Sequence, residues 1–194
     1  IDISAGGDVW INAVVTVRPP ARSGGTIDIT STGGNVQLDG WLRAQSGDGT
    51  LDTDGAGGQI VINAAGRIEA TQDISVNSFP QNTDAPGGSV HITAGEIALR
   101  GRRYDADGKP PGPAFAGFAK AGFRLISTSG DISLSGIFEA KGGPSLIQVT
   151  SAADLTLDGS FSVAPLGCLG LSAGGLTDWQ HAEFDTASIP SCPE

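Results

Sequence analysis

Three aspartates sit close together in the stretch SGDGTLDTDGAGG (46–58), and their type and spacing suggest chemistry. They are Asp48, Asp52 and Asp54. Calcium takes about six to eight oxygen ligands, and neighbouring carboxylates in a glycine-rich loop can supply several of them. The spacing departs from the helix–loop–helix calcium signature, which closes on a glutamate. A solvated turn, in which the aspartates bond their own backbone, is the competing reading. Calcium is the one cofactor the sequence suggests, and none is required.

A second cluster is basic and aromatic. The stretch RGRRYDADGKPPGPAFAGFAKAGF (100–123) gathers Arg102, Arg103, Tyr104, Lys109, Phe115 and Phe118. Long loops inside compact domains are functional or disordered. These side chains suit an anionic glycan or a neighbouring subunit. The alternative is an ordered loop whose phenylalanines cover the flank of the molecule.

Catalytic groups are scarce. The two histidines are His91 and His181, and no nucleophile elbow, zinc motif, phosphate loop or dinucleotide fingerprint occurs. Asp28, Asp39, Glu69 and Asp158 fall on the outward phase of alternating segments, but spacing alone sets no two carboxylates at a working separation. No catalytic residue is assigned, and the balance lies against an enzyme.

The elements that must position these residues are short strands. Of 194 residues 30 are glycine, there is no methionine, and apolar residues make up 39%. No sustained helical period appears, and the glycines follow no collagen triplet. The formal charge of −10 repels phosphate backbones and argues against nucleic acid. No apolar run reaches membrane-spanning length, and neither a starting methionine nor a signal peptide is present, as expected of a mature or excised chain. Cys168 and Cys192 favour one disulfide, hence an oxidising compartment, with two reduced buried thiols as the alternative.

Two motifs recur. Gly-Gly followed by alternating apolar residues appears as GGDVWIN from Gly6, GGTIDIT from Gly24, GGQIVIN from Gly57 and GGSVHIT from Gly87. A strand–Gly–strand motif appears as VQLDGWLRA from Val36, ISLSGIFEA from Ile132 and LTLDGSFSV from Leu155. Period two puts Ile27, Ile29, Val36, Leu38, Leu42 and Ala44 inward, and Asp28, Thr30, Gln37, Asp39 and Arg43 outward. Repetition at about 20 to 35 residues predicts stacked coils, an all-β single-stranded parallel β-helix or β-solenoid. An antiparallel sandwich is the alternative. Residues 1–165 are assigned to the repeats, with the long loop at 100–123, and 166–194 to a disulfide-linked C-terminal cap.

These repeats resemble the right-handed parallel β-helices of bacterial surfaces, the filamentous-haemagglutinin-like adhesins and Gly-rich secreted β-helical proteins. The resemblance implies right-handed coiling, secretion or surface display, and a structural or adhesive role. It carries over no catalytic residue. The expected function is a non-catalytic extracellular structural or adhesive protein, a candidate subunit of a surface fibre or array. The expected partners are further copies stacked end to end, or host and matrix glycans and proteins. A glycan-binding or polysaccharide-degrading module is the alternative.

Overall fold

The computed structural model describes residues 1–18, 24–45, 57–76, 88–105, 121–140, 145–163 and 167–185. Among them every regular element is a strand: β1 (Asp2–Ala5), β2 (Val9–Ile11), β3 (Val15–Val17), β4 (Thr26–Ser31), β5 (Val36–Leu38), β6 (Leu42–Ala44), β7 (Gln59–Ala64), β8 (Arg67–Ala70), β9 (Ile74–Ser75), β10 (Ser89–Ala94), β11 (Glu96–Leu99), β12 (Arg103–Asp105), β13 (Ala121–Ser127), β14 (Ile132–Ala140), β15 (Ser145–Ser151), β16 (Leu155–Val163), β17 (Cys168–Ala173) and β18 (Thr177–Asp185). No helix among the described residues is long and apolar enough to cross a membrane.

The strands form two parallel sheets. The first has the order β1-β4-β7-β10-β13-β15-β17. The second has eleven strands in the order β2-β5-β8-β11-β14-β12-β9-β6-β3, with β16 paired to β14 and β18 to β16. This corrects the expected single-stranded β-helix or β-solenoid. The strands of each repeat are divided between the two sheets. The Gly-Gly strands from Gly24, Gly57 and Gly87 enter the first sheet as β4, β7 and β10, GGDVWIN supplies β2 of the second, and the strand–Gly–strand segments build the second, so no single ladder runs through the chain.

The C-terminal cap at 166–194 is corrected as well. Between Cys168 and Asp185 the chain adds β17 to the first sheet and β18 to the second, each parallel to the strand before it. Cys168 is not a free thiol. Cys192 lies outside the described residues, and no disulfide joins two described residues.

Parallel register stacks like on like. On the first sheet one inward row runs Ile3, Ile29, Ile62, Ile92, Leu125, Val149, Leu171. On the second sheet a row runs Val15, Leu42, Ile74, Tyr104, Phe138, Phe161, Phe184. The inner members of both rows are shielded from water and face a common core. The three- to six-residue strands common here cannot bury a face alone, so the rows supply the stability that local structure lacks. From Tyr104 onward the second row becomes an aromatic stack. Phe138 lies flat on Tyr104, with ring centres 4.4 Å apart, and on Phe161 at 5.0 Å.

The corners are held by side chains. Asp8 accepts the backbone N–H of Asn35 at 2.7 Å, and Asn35 Oδ1 accepts that of Arg67 at 2.8 Å. Asp131 accepts the N–H of Asp154 at 3.0 Å, and Asp154 accepts that of Leu176 at 2.8 Å. Each carboxylate or amide thus satisfies a donor one repeat further on, where neither sheet supplies an acceptor. Arg67 and Glu96 occupy the middle positions of this ladder, and they mark where the surface changes character.

Candidate binding face on the second sheet

The outward row of β2, β5 and β8 is Trp10, Gln37, Glu69. Asp39, just past β5, ties the row together. It accepts hydrogen bonds from Trp10 Nε1 at 2.8 Å, Gln37 Nε2 at 2.9 Å and Thr71 Oγ1 at 2.9 Å. These bonds, that of Gln37 first, hold the Asp39 carboxyl below its usual range. Tethering by its indole nitrogen leaves the Trp10 ring standing out from the sheet, 72% exposed.

Beside this row lies a shallow cleft of about 210 Å³, lined by Asn35, Val36, Gln37, Arg67 and Glu69. The break in the corner ladder explains it: the short Asn35 is followed by the long Arg67. Arg67 pairs with Glu69 at 3.4 Å and Glu96 at 3.5 Å, and Arg100 reaches Glu69 at 3.8 Å. The Arg67 Nε hydrogen has no acceptor among the described residues. Further round the same side, Trp41 donates to Gln72 at 2.9 Å, and the Arg43 guanidinium lies 4.2 Å over its ring.

The residues singled out by sequence divide. Asp48, Asp52, Asp54, Lys109, Phe115 and Phe118 lie outside the described residues, as does most of the basic loop. Arg102 and Arg103 are exposed, and their backbone N–H groups share Asp73 Oδ1 at 3.1 and 3.0 Å. The Arg103 guanidinium pairs with Glu139. Tyr104 is corrected from a surface contact to a core residue. It is fully buried, and its hydroxyl accepts the Gly101 N–H. Burial holds that phenol protonated well above its usual range. Sequence reasoning turned Gln37, Asp39 and Glu69 outward but did not join them to Trp10 and Arg67. The register that joins Gln37 to Trp10 and Glu69 spans 27 and 32 residues.

No catalytic constellation assembles among the described residues. Register aligns Ser135, Asp158 and His181, but the aspartate stands in the middle, so serine and histidine are two strands apart. That is about 9–10 Å, too far for the histidine to take the serine proton. No group of three or more metal-type side chains occurs among the described residues.

His91 sits in the outward row of the first sheet, between Val61 and Arg124. Burial of the ring, and secondarily the Arg124 charge, hold its imidazole below the ordinary 6.5. Because the folded value is the lower one, the unfolded chain binds more protons between the two. The His91 contribution is fully present above 6.5 and is lost as pH falls through the folded value. In an NMR titration His91 is expected to show a midpoint below 6.5, moved upward in Arg124→Gln; an unshifted midpoint would contradict this environment. No protein-family model, no curated protein and no solved structure matches this chain, so the adhesin-like resemblance rests on the repeats alone.

Proposed function

We propose that this is a non-catalytic structural or adhesive protein of the cell exterior whose sheets associate edge to edge with further copies of the chain. The observation that supports the reading is the pair of open edges. Among the described residues no strand pairs with the outer sides of β17 and β18, or with those of β1, β2 and β3. Exposed apolar side chains lie at both: Leu176, Trp179 and Phe184 at one, Ile1 and Val14 at the other. Unpaired strand edges are templates for further strands. All the pairings here are parallel, so β1 of one copy can follow β17 of the next without reversing direction. Such a contact joins two different surfaces, does not close, and builds a fibre.

Sedimentation velocity and negative-stain microscopy across a concentration series test this. Linear oligomers that lengthen with concentration are expected, with dispersal in a Leu176→Asp, Phe184→Lys double variant. A wild-type chain that stays monomeric at every concentration overturns the reading.

A further inference from the structure

The side of the molecule around Trp10 has a chemistry that edge-to-edge association does not use. We propose that the row Trp10, Gln37, Glu69, with Asp39 and the Arg67 cleft beside it, is a binding site for a neutral polysaccharide chain lying across the strands.

Four features of the face point to that ligand class. The first is the exposed indole. Its nitrogen is bonded to Asp39, which fixes the ring while leaving its face free. An aromatic face with a fixed orientation packs against the C–H face of a sugar ring at small entropic cost, since little side-chain freedom remains to be lost. The second is the set of planar polar groups beside it. Gln37, Asp39 and Glu69 offer amide and carboxylate atoms already oriented by mutual hydrogen bonds and ion pairs. Sugar hydroxyls both donate and accept, so they match such a mixed surface.

The third feature is charge. The chain carries −10, yet the described second-sheet flank from Asp39 to Glu139 sets Arg43, Arg67, Arg100, Arg102 and Arg103 against Asp39, Glu69, Asp73, Glu96, Asp105, Asp131 and Glu139. Five bases meet seven acids, so this side carries only a small part of the net negative charge. Arg67 and Arg100 are engaged by Glu69 and Glu96, and Arg103 by Glu139. Those guanidinium groups are committed to carboxylates, which favours a neutral sugar over a sulfated or uronic one. The fourth is geometry. The row advances by one strand spacing, about 4.8 Å, at each step, so its polar groups recur regularly along a polymer laid across the sheet.

The test is binding of the whole chain to a panel of insoluble neutral polysaccharides (cellulose, chitin and a β-1,3-glucan), with heparin and polygalacturonate as anionic comparisons. Tryptophan fluorescence with soluble fragments of each supplies a second readout. Expected are retention on at least one neutral polymer and a loss of tenfold or more in Trp10→Ala and in Gln37→Ala. Gln59→Ala, exposed on β7 of the first sheet, is expected to bind like the parent. Trp10 and Gln37 lie outside the core, so circular dichroism of both variants should match the parent. Absence of binding to every neutral polymer, stronger retention on the anionic ones, or full binding by Trp10→Ala overturns the proposal. A monomeric chain that binds sugar refutes fibre assembly alone; a fibre that binds none refutes the saccharide site alone.

Discussion

The Phe138→Ala protein is expected to be less stable than the parent by about 3–5 kcal/mol, the range for removing a fully buried phenylalanine. Phe138 has no exposed surface. Its ring lies parallel to Tyr104 and Phe161 and takes the edge of Phe123 at 5.9 Å. Alanine there removes three ring contacts and leaves a cavity between two stacked neighbours. Those neighbours are held by their own ladder pairings, Tyr104 in β12 and Phe161 in β16, so they cannot close the gap. Urea denaturation reads the effect as a lowered midpoint with an unchanged slope. The adjacent Ile137→Ala provides the contrast: Ile137 faces outward and is 44% exposed, so its loss should cost about 0.5 kcal/mol or less. A Phe138→Ala penalty as small as that of Ile137→Ala would show that the aromatic row is not the centre of the core.

Gly136→Ala is the second large effect. Gly136 has φ of +115°, a conformation side chains rarely adopt, and a Cβ built there would run into the carbonyl oxygen of Gly101 on the neighbouring turn of chain. Backbone strain alone costs about 1–3 kcal/mol. The displaced Gly101 adds to it, because its N–H is the donor to the buried Tyr104 hydroxyl. The variant should accumulate poorly, or unfold at markedly lower urea. Gly7→Ala is the matched control, since nothing lies within 4 Å of a Cβ at Gly7. Equal stability of the two variants would refute the steric argument.

The strands and their faces were legible in the sequence. The alternation at Ile27 and Ile29, and at Val36 and Leu38, puts these residues inside, where they are almost wholly buried. The glycine of the strand–Gly–strand motif is required at two copies: Gly136 and Gly159 have positive φ, and a Cβ at either would meet the backbone of the neighbouring strand or turn. What alternation cannot show is which strand pairs with which. The distribution of the strands over two sheets, the passage of the repeat into β17 and β18, and the burial of Tyr104 all depend on register across 22 to 35 residues. Tyr104 sits among arginines in a stretch that reads as basic and exposed. Only the partner strand, which aligns it with Phe138, turns it inward. The Trp10 face is hidden from a linear reading for the same reason.

The pairing list has a thermodynamic meaning. In the first sheet every strand pairs only with the one before and the one after it in the order β1-β4-β7-β10-β13-β15-β17. Free energy in such an array is a chain of nearest-neighbour terms, with no single contact that closes the whole. Changes at Ile29 and Val149, which share no neighbouring strand, should therefore add. Changes at Ile62 and Ile92, which touch, should couple. The protein can lose order one layer at a time from an edge while its middle stays folded, so its stability is better described as a profile along the stack than as one number.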